Sequence, residues 1–416
     1  MSKIKKGGVL KLPDIVVIGG GASGIVASII ASRRNSQVTL LERNDRIGKK
    51  LLVTGNGRCN YTNKNMKVDC FHGTNKNFIE NIIKQFDRDK TLEFFEKLGI
   101  VPKAEDGGKI FPMSLQSSSV LDVLRYELER LDVNVVTGAY VTEISKKKDF
   151  LIKTKTKDVF HSDKVIIATG GMAMPVSGSD GNGYKLAKEF GHSIITPTPA
   201  LVQLKLESDK LKAMDGVKFE GSANLYIDNK LIREEKGEIL FTDYGVSGPP
   251  ILQLSREAVR GMNEKRKVEL ELKLFDKSTE EFKKYLNKRF SYMPYKSVEI
   301  GLIGLIHKKL IIPILKEINL DKNKLVKELT NADLDKLTNI LTSWRFKVIG
   351  DKGWGQAQTT AGGILSHDID PDTLESKRIS GLYFCGEILD VDGDCGGYNL
   401  QWAWSSGYVA GLNASK

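Results

Sequence analysis

Residues 15–24 read Ile15-Val16-Val17-Ile18-Gly19-Gly20-Gly21-Ala22-Ser23-Gly24. The four apolar residues predict a buried strand, and a helical pattern follows over residues 25–33. Gly19 allows a tight turn, Gly21 lets the backbone approach a pyrophosphate, and Gly24 lets the helix pack closely on the sheet. The amides and the dipole at the helix N-terminus attract phosphate. The stretch therefore predicts a dinucleotide-binding strand–turn–helix unit.

An acidic residue follows the next apolar run. Residues 38–41 predict a second strand, and Glu42 stands directly after it. A carboxylate at this place accepts hydrogen bonds from ribose hydroxyls and repels a 2′-phosphate, which argues against NADP. Glycine-rich turns between strand and helix also occur in proteins that bind no ligand. The combination of strand, helix and acid favours the dinucleotide site.

The C-terminal part of the chain contains a second strand, loop and helix. Residues 382–385 predict a strand, Gly386 and Glu387 follow, and residues 396–397 precede an apolar helix over residues 398–412. This arrangement resembles the end of flavoproteins of the glutathione-reductase superfamily. The resemblance implies that the acid contacts a ribitol hydroxyl and that the last helix points its N-terminus at the flavin. A positive helix end stabilises the anion that forms on reduction, so FAD is favoured over NAD.

Further motifs connect these two regions and identify a family. They occupy residues 48–50, 54–63, 166–171, 178–184, 240–249, 357–363 and 386–404. The set resembles the BaiN-like flavoprotein family, which is also described as aminoacetone-oxidase-like, and the resemblance extends over residues 14–411. It implies reduction of unsaturated bile-acid or steroid ketones, as in some members, or oxidation of aminoacetone, as in others.

We predict an α/β fold: a Rossmann-like FAD-binding domain of the glutathione-reductase type, with an inserted antiparallel β-barrel-like domain and a small helical domain. Alternating apolar residues after position 193 predict the barrel strands, and helical spacing follows over residues 276–341. The predicted FAD-binding domain comprises 1–192 and 358–416. The barrel-like domain comprises 193–275 and 342–357, and the helical domain comprises 276–341.

The motifs and the resemblance together predict the residues that contact the cofactor. They are Gly19, Gly21, Ala22, Ser23, Gly24, Glu42, Arg43, Lys50, Gly55, Asn56, Gly57, Arg58, Cys59, Asn60, Tyr140, Val141, Thr169, Gly170, Gly171, Gly363, Gly386, Glu387, Asp394, Gly397, Tyr398, Asn399 and Leu400. The predicted catalytic residues are Arg58, Asn60, Thr360 and Tyr398.

Each catalytic assignment has an alternative. Arg58 is expected to neutralise phosphate or to orient a substrate carbonyl, unless it only braces a glycine-rich turn. Either Thr359 or Thr360 is expected to donate a hydrogen bond to flavin N5 or O4. Tyr398, Tyr61 and Tyr184 are all candidates for the proton donor, and the sequence does not select among them.

The cysteines and acidic residues predict neither disulfides nor a metal site. Four cysteines without framework spacing indicate a reduced, cytoplasmic protein. We interpret Cys59 as a packed thiol, the alternative being a redox switch. Residues 390–394 superficially resemble a calcium loop, but Cys395 and Gln401 stand where an EF-hand requires Gly and Glu.

The composition favours a globular enzyme without a membrane span. No run of about eighteen apolar residues occurs, and the basic residues within 1–12 are interpreted as a short lead-in rather than a signal peptide. The net charge is +11; residues 359–416 contain three Lys/Arg and eight Asp/Glu, so the remainder carries +16. A lysine-rich surface explains this charge without nucleic acid, because no Lys/Arg block interleaved with aromatics is identified.

Three functions follow from these patterns. The first is a reductase that takes hydride from NAD(P)H and passes it through flavin N5 to an organic substrate such as an unsaturated ketone. No second nucleotide motif occurs, so NAD(P)H is expected to bind only transiently. The second is an amine oxidase that produces peroxide. The third, from another class, is a flavin-containing RNA-binding or tRNA-modifying protein. The sequence does not indicate an oligomeric state.

Overall fold

The computed structural model describes residues 13–416, so the predicted basic lead-in within 1–12 lies outside the described residues. The chain divides into two compact units. The first unit comprises residues 13–197 and 359–416, and the second unit comprises residues 198–358. No helix in the described part of the chain is long and apolar enough to cross a membrane.

The first unit contains sixteen strands and helices before the chain leaves it, and four after the chain returns. The first set is β1 (Asp14–Ile18), α1 (Ala22–Ser32), β2 (Gln37–Leu41), β3 (Thr62–Asn63), β4 (Phe71–His72), α2 (Lys76–Gln85), α3 (Arg88–Lys97), β5 (Pro102–Ala104), β6 (Lys109–Pro112), α4 (Ser117–Arg130), β7 (Asn134–Val136), β8 (Val141–Lys146), β9 (Phe150–Thr154), β10 (Val159–Ser162), β11 (Lys164–Ile167) and α5 (Asn182–Glu189). Strand β12 (Ile194–Ala200) then leads out of the unit.

The second unit contains strands β13 to β18 and helices α6 to α11. They are β13 (Leu204–Leu206), α6 (Leu211–Met214), β14 (Lys218–Ile227), β15 (Lys230–Thr242), β16 (Gly245–Ser247), α7 (Pro249–Asn263), β17 (Val268–Lys273), α8 (Thr279–Ser291), α9 (Val298–Leu302), α10 (Lys308–Glu317), α11 (Asn331–Thr342) and β18 (Trp344–Asp351). Back in the first unit are β19 (Thr359–Ile364), β20 (Leu382–Phe384), β21 (Asp392–Gly393) and α12 (Tyr398–Ala414).

A five-stranded parallel sheet forms the centre of the first unit, with strand order β20-β11-β1-β2-β7. This sheet confirms the predicted α/β class with a Rossmann-type core. The ends of four strands are in register: Ile18 lies opposite Leu41 on one side and Ile167 on the other, and Ile167 lies opposite Phe384. Because parallel strands all end at the same edge, the segments that follow them meet there.

Helix α12 packs against α1 so closely that the two backbones are in contact. A Cβ added at Gly407 would lie 2.4 Å from the carbonyl oxygen of Ser23, and one added at Gly411 would lie 2.4 Å from that of Ala27. Ser23 and Ala27 are one helical turn apart, as are the two glycines, so the contact extends along both helices. Small residues here let the chain's last helix pack directly on its first.

Six antiparallel strands of the second unit form a closed barrel in the order β13-β16-β15-β14-β17-β18. The hairpin between β14 and β15 turns at Asp228 and Asn229, both with positive φ. Helix α7 begins at Pro249 with Gly248 as its N-cap and no side-chain cap.

Helices α8 to α11 form their own apolar core within the second unit. It includes Leu286, Phe290, Val298, Leu302, Ile311, Leu315 and Leu337. Ser278 and Thr330 cap α8 and α11, each in a reciprocal capping box with an acidic residue three positions later. The helical spacing predicted over residues 276–341 therefore corresponds to observed helices.

The crossing of α1 and α12 generates a stability prediction. Gly411→Ala gains roughly 1 kcal/mol of helix propensity, but the new methyl group overlaps a backbone oxygen, at a typical cost of about 1–3 kcal/mol. We expect a lower thermal unfolding midpoint, measured by circular dichroism. The matched control is Gly261→Ala in α7, where a Cβ would meet only side-chain methyl groups, at 3.0 Å. An unchanged or raised midpoint for Gly411→Ala would show that the two helices are less closely packed than described.

Candidate functional site

The glycine-rich loop after β1 holds the N-terminus of α1 at the edge of the sheet. Gly19 has φ +108°, and a Cβ there would lie 2.4 Å from the carbonyl oxygen of Ala168. A Cβ at Gly24 would lie 1.9 Å from the Gly19 oxygen, whereas one at Gly21 would meet nothing within 4 Å. Gly21 is also the N-cap of α1 and no side chain caps the helix. Open space thus faces uncapped amides, which suits a pyrophosphate.

Glu42 lies immediately after β2 and is almost fully buried. Its Oε2 accepts a hydrogen bond from the Gly20 amide at 2.8 Å. Its Oε1 accepts from the backbone and side-chain nitrogens of Asn44 at 2.8 and 2.7 Å. A carboxylate offers about four acceptor positions, so capacity for a ribose hydroxyl remains. Asn44 was not singled out by its sequence; its side chain also donates to the Ser177 carbonyl at 3.0 Å.

Arg43 and Tyr140 meet beside the loop that precedes α5. The Arg43 guanidinium forms an ion pair with Asp180 and lies 4.6 Å from the centroid of the Tyr140 ring. The Tyr140 hydroxyl donates to Asp180 at 3.4 Å. Asn182 donates to the Val141 carbonyl at 2.8 Å. The structure thus brings together three predicted cofactor residues, and Asp180 and Asn182 join them from a motif whose role the sequence left open.

Glu387 connects three distant segments. Its Oε1 accepts from the Thr360 amide at 2.8 Å, and its Oε2 accepts from the Lys50 ammonium at 2.7 Å. The preceding Gly386 has φ +82°, and a Cβ there would lie 2.3 Å from Ser23 Oγ. The first turn of α1 and the loop after β20 are therefore in direct contact. Residues predicted from four separate motifs lie in one region of the first unit.

The N-terminus of α12, like that of α1, has no side-chain cap. Its N-cap, Gly397, has φ +99° and no side chain caps the helix. A Cβ at Gly397 would lie 2.8 Å from Asn60 Oδ1 and 2.5 Å from the Thr62 carbonyl oxygen. Asn60 Oδ1 is buried, and within residues 13–416 it has no hydrogen-bond partner. A ring with N–H donors and carbonyl oxygens, such as isoalloxazine, fits an orphaned acceptor beside a positive helix end.

Other buried polar atoms nearby also lack a partner among the described residues. They are Thr169 Oγ1 and the hydroxyl groups of Tyr61 and Tyr184. Burial raises the pKa of Tyr184, and the charges of Glu387 and Asp390 raise it further. Buried polar groups are normally hydrogen-bonded, so these orphans also fit a polar cofactor that is held within the first unit.

Three of the predicted catalytic side chains have partners within the protein. Arg58 pairs with Glu105 at 3.1 Å, and its guanidinium lies 4.3 Å from the centroid of the Phe111 ring, as expected if it braces its loop. Thr360 Oγ1 accepts hydrogen bonds from two backbone amides in the loop after β11, at 2.8 and 3.0 Å. The Tyr398 hydroxyl donates to the Asn65 carbonyl at 3.3 Å. Their catalytic roles stay predictions.

The remaining predicted residues shape the loops around this region. Cys59 is fully buried with φ +59°, and burial raises the pKa of its thiol to about 12, so the thiol is protonated at neutral pH. Cys59, Cys70 and Cys385 are free thiols. The Asn399 side chain forms hydrogen bonds with both the N–H and the C=O of Gly393, and Asp394 hydrogen-bonds His72 at 2.7 Å.

Several of the predicted cofactor residues are in the left-handed backbone region. Positive φ values occur at Gly55, Asn56, Gly57, Gly170 and Gly363. A Cβ at Gly171 would overlap the Thr360 side chain, and Leu400 is half-buried.

Metal ligation was not predicted. Over the described range, no group of three or more His, Cys, Asp and Glu side chains is arranged to hold a metal ion. The acidic residues of the loop before α12 are instead engaged individually; Asp390, for example, accepts from the Thr74 amide at 2.9 Å. This loop therefore contributes hydrogen bonds that fix the approach to α12.

Comparison with known proteins identifies the family. The family model described as HI0933-like protein Rossmann domain matches residues 13–413. The 3-dehydro-bile acid delta(4,6)-reductase of Clostridium scindens is 40% identical over 406 residues, which cover 97% of this chain and 99% of that protein. The ribosomal RNA dihydrouridine synthase of Escherichia coli is 30% identical over 399 residues, covering 95% and 96% of the two chains.

Among solved structures, the 3-ketosteroid delta1-dehydrogenase from Sterolibacterium denitrificans superposes with a TM-score of 0.51 at 11% identity, covering 97% of this chain and all of that one. This likeness concerns the fold alone. The sequence matches extend over nearly the whole chain and confirm the resemblance stated from the motifs. The chain belongs to the HI0933-like family of Rossmann-fold proteins and is an FAD-dependent oxidoreductase.

Proposed function

We propose that this protein reduces a carbon–carbon double bond conjugated to a carbonyl group. One observation carries the proposal: two relatives that align nearly end to end have names describing this same chemical change. A 4,6-dienone and a uracil ring each present a double bond whose far carbon is electron-poor because the carbonyl withdraws charge. Hydride adds to that carbon, and a proton adds to the carbon beside the carbonyl. An unsaturated steroid-like ketone is the first candidate substrate.

We propose a position within the first unit for each part of FAD. We assign the pyrophosphate to the uncapped start of α1 above Gly21, and the adenosine ribose to Glu42. We assign the ribitol to the neighbourhood of Glu387 and the isoalloxazine to the start of α12 beside Asn60. When bound, FAD supplies the hydride through its N5 atom. The positive end of α12 stabilises negative charge on the reduced ring.

We propose NAD(P)H as the source of hydride, binding only transiently. The proposal rests on the glycine motif, which occurs in full only at residues 19–24. We also retain the three-part layout as a proposal, with a glutathione-reductase-type FAD-binding domain of 1–192 and 358–416. The barrel-like domain (193–275 and 342–357) and the helical domain (276–341) are proposed to select the substrate.

RNA is the second candidate substrate, and charge favours it. The second unit contains 29 Lys/Arg and 23 Asp/Glu, a net charge of +6. Relatives named ribosomal RNA dihydrouridine synthase, from Escherichia coli and Haemophilus influenzae, align with 95% and 96% of this chain. The conjugated double bond of uracil requires the same hydride transfer as an enone. The amine-oxidase alternative has no comparable support from these relatives.

Anaerobic mixing experiments test the reaction. We expect NADH or NADPH to bleach the flavin absorbance of the FAD-loaded protein, and a 4-en-3-one steroid or a uridine-containing RNA to restore it. Mass spectrometry is expected to show a product two hydrogens heavier. The control is aminoacetone added alone under the same conditions. If aminoacetone bleaches the flavin and neither nicotinamide does, the protein is an oxidase and the proposal is wrong.

Glu42 provides a test of cofactor binding. Glu42→Gln removes the charge and leaves one acceptor oxygen, while the new amide competes with the donors of Gly20 and Asn44. We expect the dissociation constant for FAD, measured by fluorescence quenching on the apoprotein, to rise by at least about 10-fold, because one charged hydrogen bond contributes roughly 1.5–3 kcal/mol. The matched control is Glu143→Gln on β8, a half-buried glutamate that pairs with Lys153. Equal dissociation constants for both variants would place the ribose elsewhere.

A further inference from the structure

The end of α8 and the turn after it combine cations with exposed aromatic rings. Residues 282–298 contain five Lys/Arg and no Asp/Glu. Tyr292 and Tyr295 in this segment are 69% and 71% exposed. Exposed aromatic rings interleaved with basic side chains are a combination on which nucleic-acid bases can stack. This segment does interleave basic residues with aromatic ones, so the expectation that the chain contains no such block was wrong.

Four cations around the two tyrosines have no carboxylate partner in the part of the chain that the structure describes. They are Lys288, Arg289, Lys296 and Lys327. Lys327 comes from a distant part of the sequence: its amide donates to the Pro294 carbonyl at 3.2 Å, so it lies beside Tyr295. Together with Tyr292 and Tyr295, these four residues define what we call the basic–aromatic surface. The other cations close to it, such as Lys324 with Asp333 and Lys283 with Asp335, are neutralised.

The surface is held in place by the core of the helical region. Phe290 follows Lys288 and Arg289 in the sequence and is buried in this core. The Met293 amide donates a hydrogen bond to the Phe290 carbonyl at 3.0 Å. The Lys296 carbonyl accepts from the amide of Val326, which belongs to the same core, at 2.9 Å. The Arg289 guanidinium donates to the carbonyl of Ile303 at 2.9 Å. The tyrosines therefore stand on a fixed turn, which lowers the entropy cost of binding a partner.

We propose that the basic–aromatic surface binds a single-stranded segment of RNA; this rests on RNA as the substrate in the second candidate function. Tyrosine rings stack on bases of any sequence, and unpaired lysines and arginines neutralise the phosphates between them. The charge is complementary to a polynucleotide. Duplex RNA is a poorer partner because its bases are already stacked and the tyrosine rings cannot reach their faces.

Fluorescence anisotropy with the FAD-loaded full chain tests the proposal. The probe is a labelled uridine-rich RNA 12-mer, titrated across a series of salt concentrations. We expect Tyr292→Ala with Tyr295→Ala to weaken binding by at least about 10-fold without changing the salt dependence, because stacking is uncharged. We expect Lys288→Gln, Lys296→Gln and Lys327→Gln together to reduce the slope of log K against log salt by about 2, since each phosphate contact contributes roughly 0.7.

Matched controls separate this surface from general charge. Tyr126→Ala removes a tyrosine of the first unit that is 67% exposed, and Lys316→Gln with Lys336→Gln removes exposed lysines of the same helical region. Both controls are expected to leave RNA binding unchanged. All variants are expected to keep their FAD content and their reduction by nicotinamide, because none of the residues belongs to the proposed cofactor site.

The outcomes distinguish the surface from the function on which it rests. If the unmodified protein binds the 12-mer and the surface variants bind equally well, the surface assignment is wrong and RNA remains a candidate substrate. If the unmodified protein does not bind at about 50 mM salt, where phosphate contacts are strong, the RNA function falls together with the surface. The proposal is also wrong if the unmodified protein binds the matched duplex as tightly as the single strand. It is equally wrong if the surface variants lose binding to anionic lipid vesicles but keep their binding to RNA.

Discussion

The structure depends on how closely other backbone segments approach the first turn of α1. A Cβ at Gly24 would overlap the Gly19 carbonyl oxygen, one at Gly386 would overlap Ser23 Oγ, and one at Gly407 would overlap the Ser23 carbonyl oxygen. Gly24 within this turn, and Gly386 and Gly407 from the C-terminal part of the chain, thus allow the backbone to pack closely around a single helical turn. Because strand β1 ends there in register with β2 and β11, the contacts fix the loops that follow all of these strands.

The electrostatics of the candidate site follow from that packing. Two helices, α1 and α12, present N-termini without side-chain caps, and each therefore carries partial positive charge toward the space in front of it. The carboxylates of Glu42 and Glu387 are not at these helix ends. Glu42 accepts hydrogen bonds from three N–H groups, and Glu387 accepts hydrogen bonds from one backbone amide and one ammonium group. The N-termini of α1 and α12 therefore suit the anionic parts of a dinucleotide, and the carboxylates of Glu42 and Glu387 suit its hydroxyl groups.

The sequence predicted the parts of this arrangement that local chemistry determines. The hydrophobic pattern and the residue spacing are enough to place Gly19, Gly24 and Glu42 relative to the strands and the helix. The partners of Arg58 and Thr360 were not predictable, because Glu105 and the loop after β11 reach them only through tertiary packing. The orphaned oxygen of Asn60 is likewise a property of the packed structure. Residues 282–298 of the basic–aromatic surface were recognisable in the sequence, but Lys327 joins it only through the fold.

The reaction and the choice of substrate need not reside in the same part of the chain. An enone and a uracil present the same electron-poor carbon, so a flavin and the residues that hold it cannot by themselves distinguish a steroid from a nucleotide. A steroid is recognised by burial of apolar surface, whereas a polynucleotide is recognised by charge and stacking. The second unit has exposed tyrosines on a fixed turn, together with cations that form no ion pair with a carboxylate in the described residues. These features would stabilise a bound polynucleotide, but they would contribute little to the binding of an apolar ring system. If one cofactor site serves both kinds of relative, divergence between them is therefore expected in the inserted segment rather than around α1 and α12.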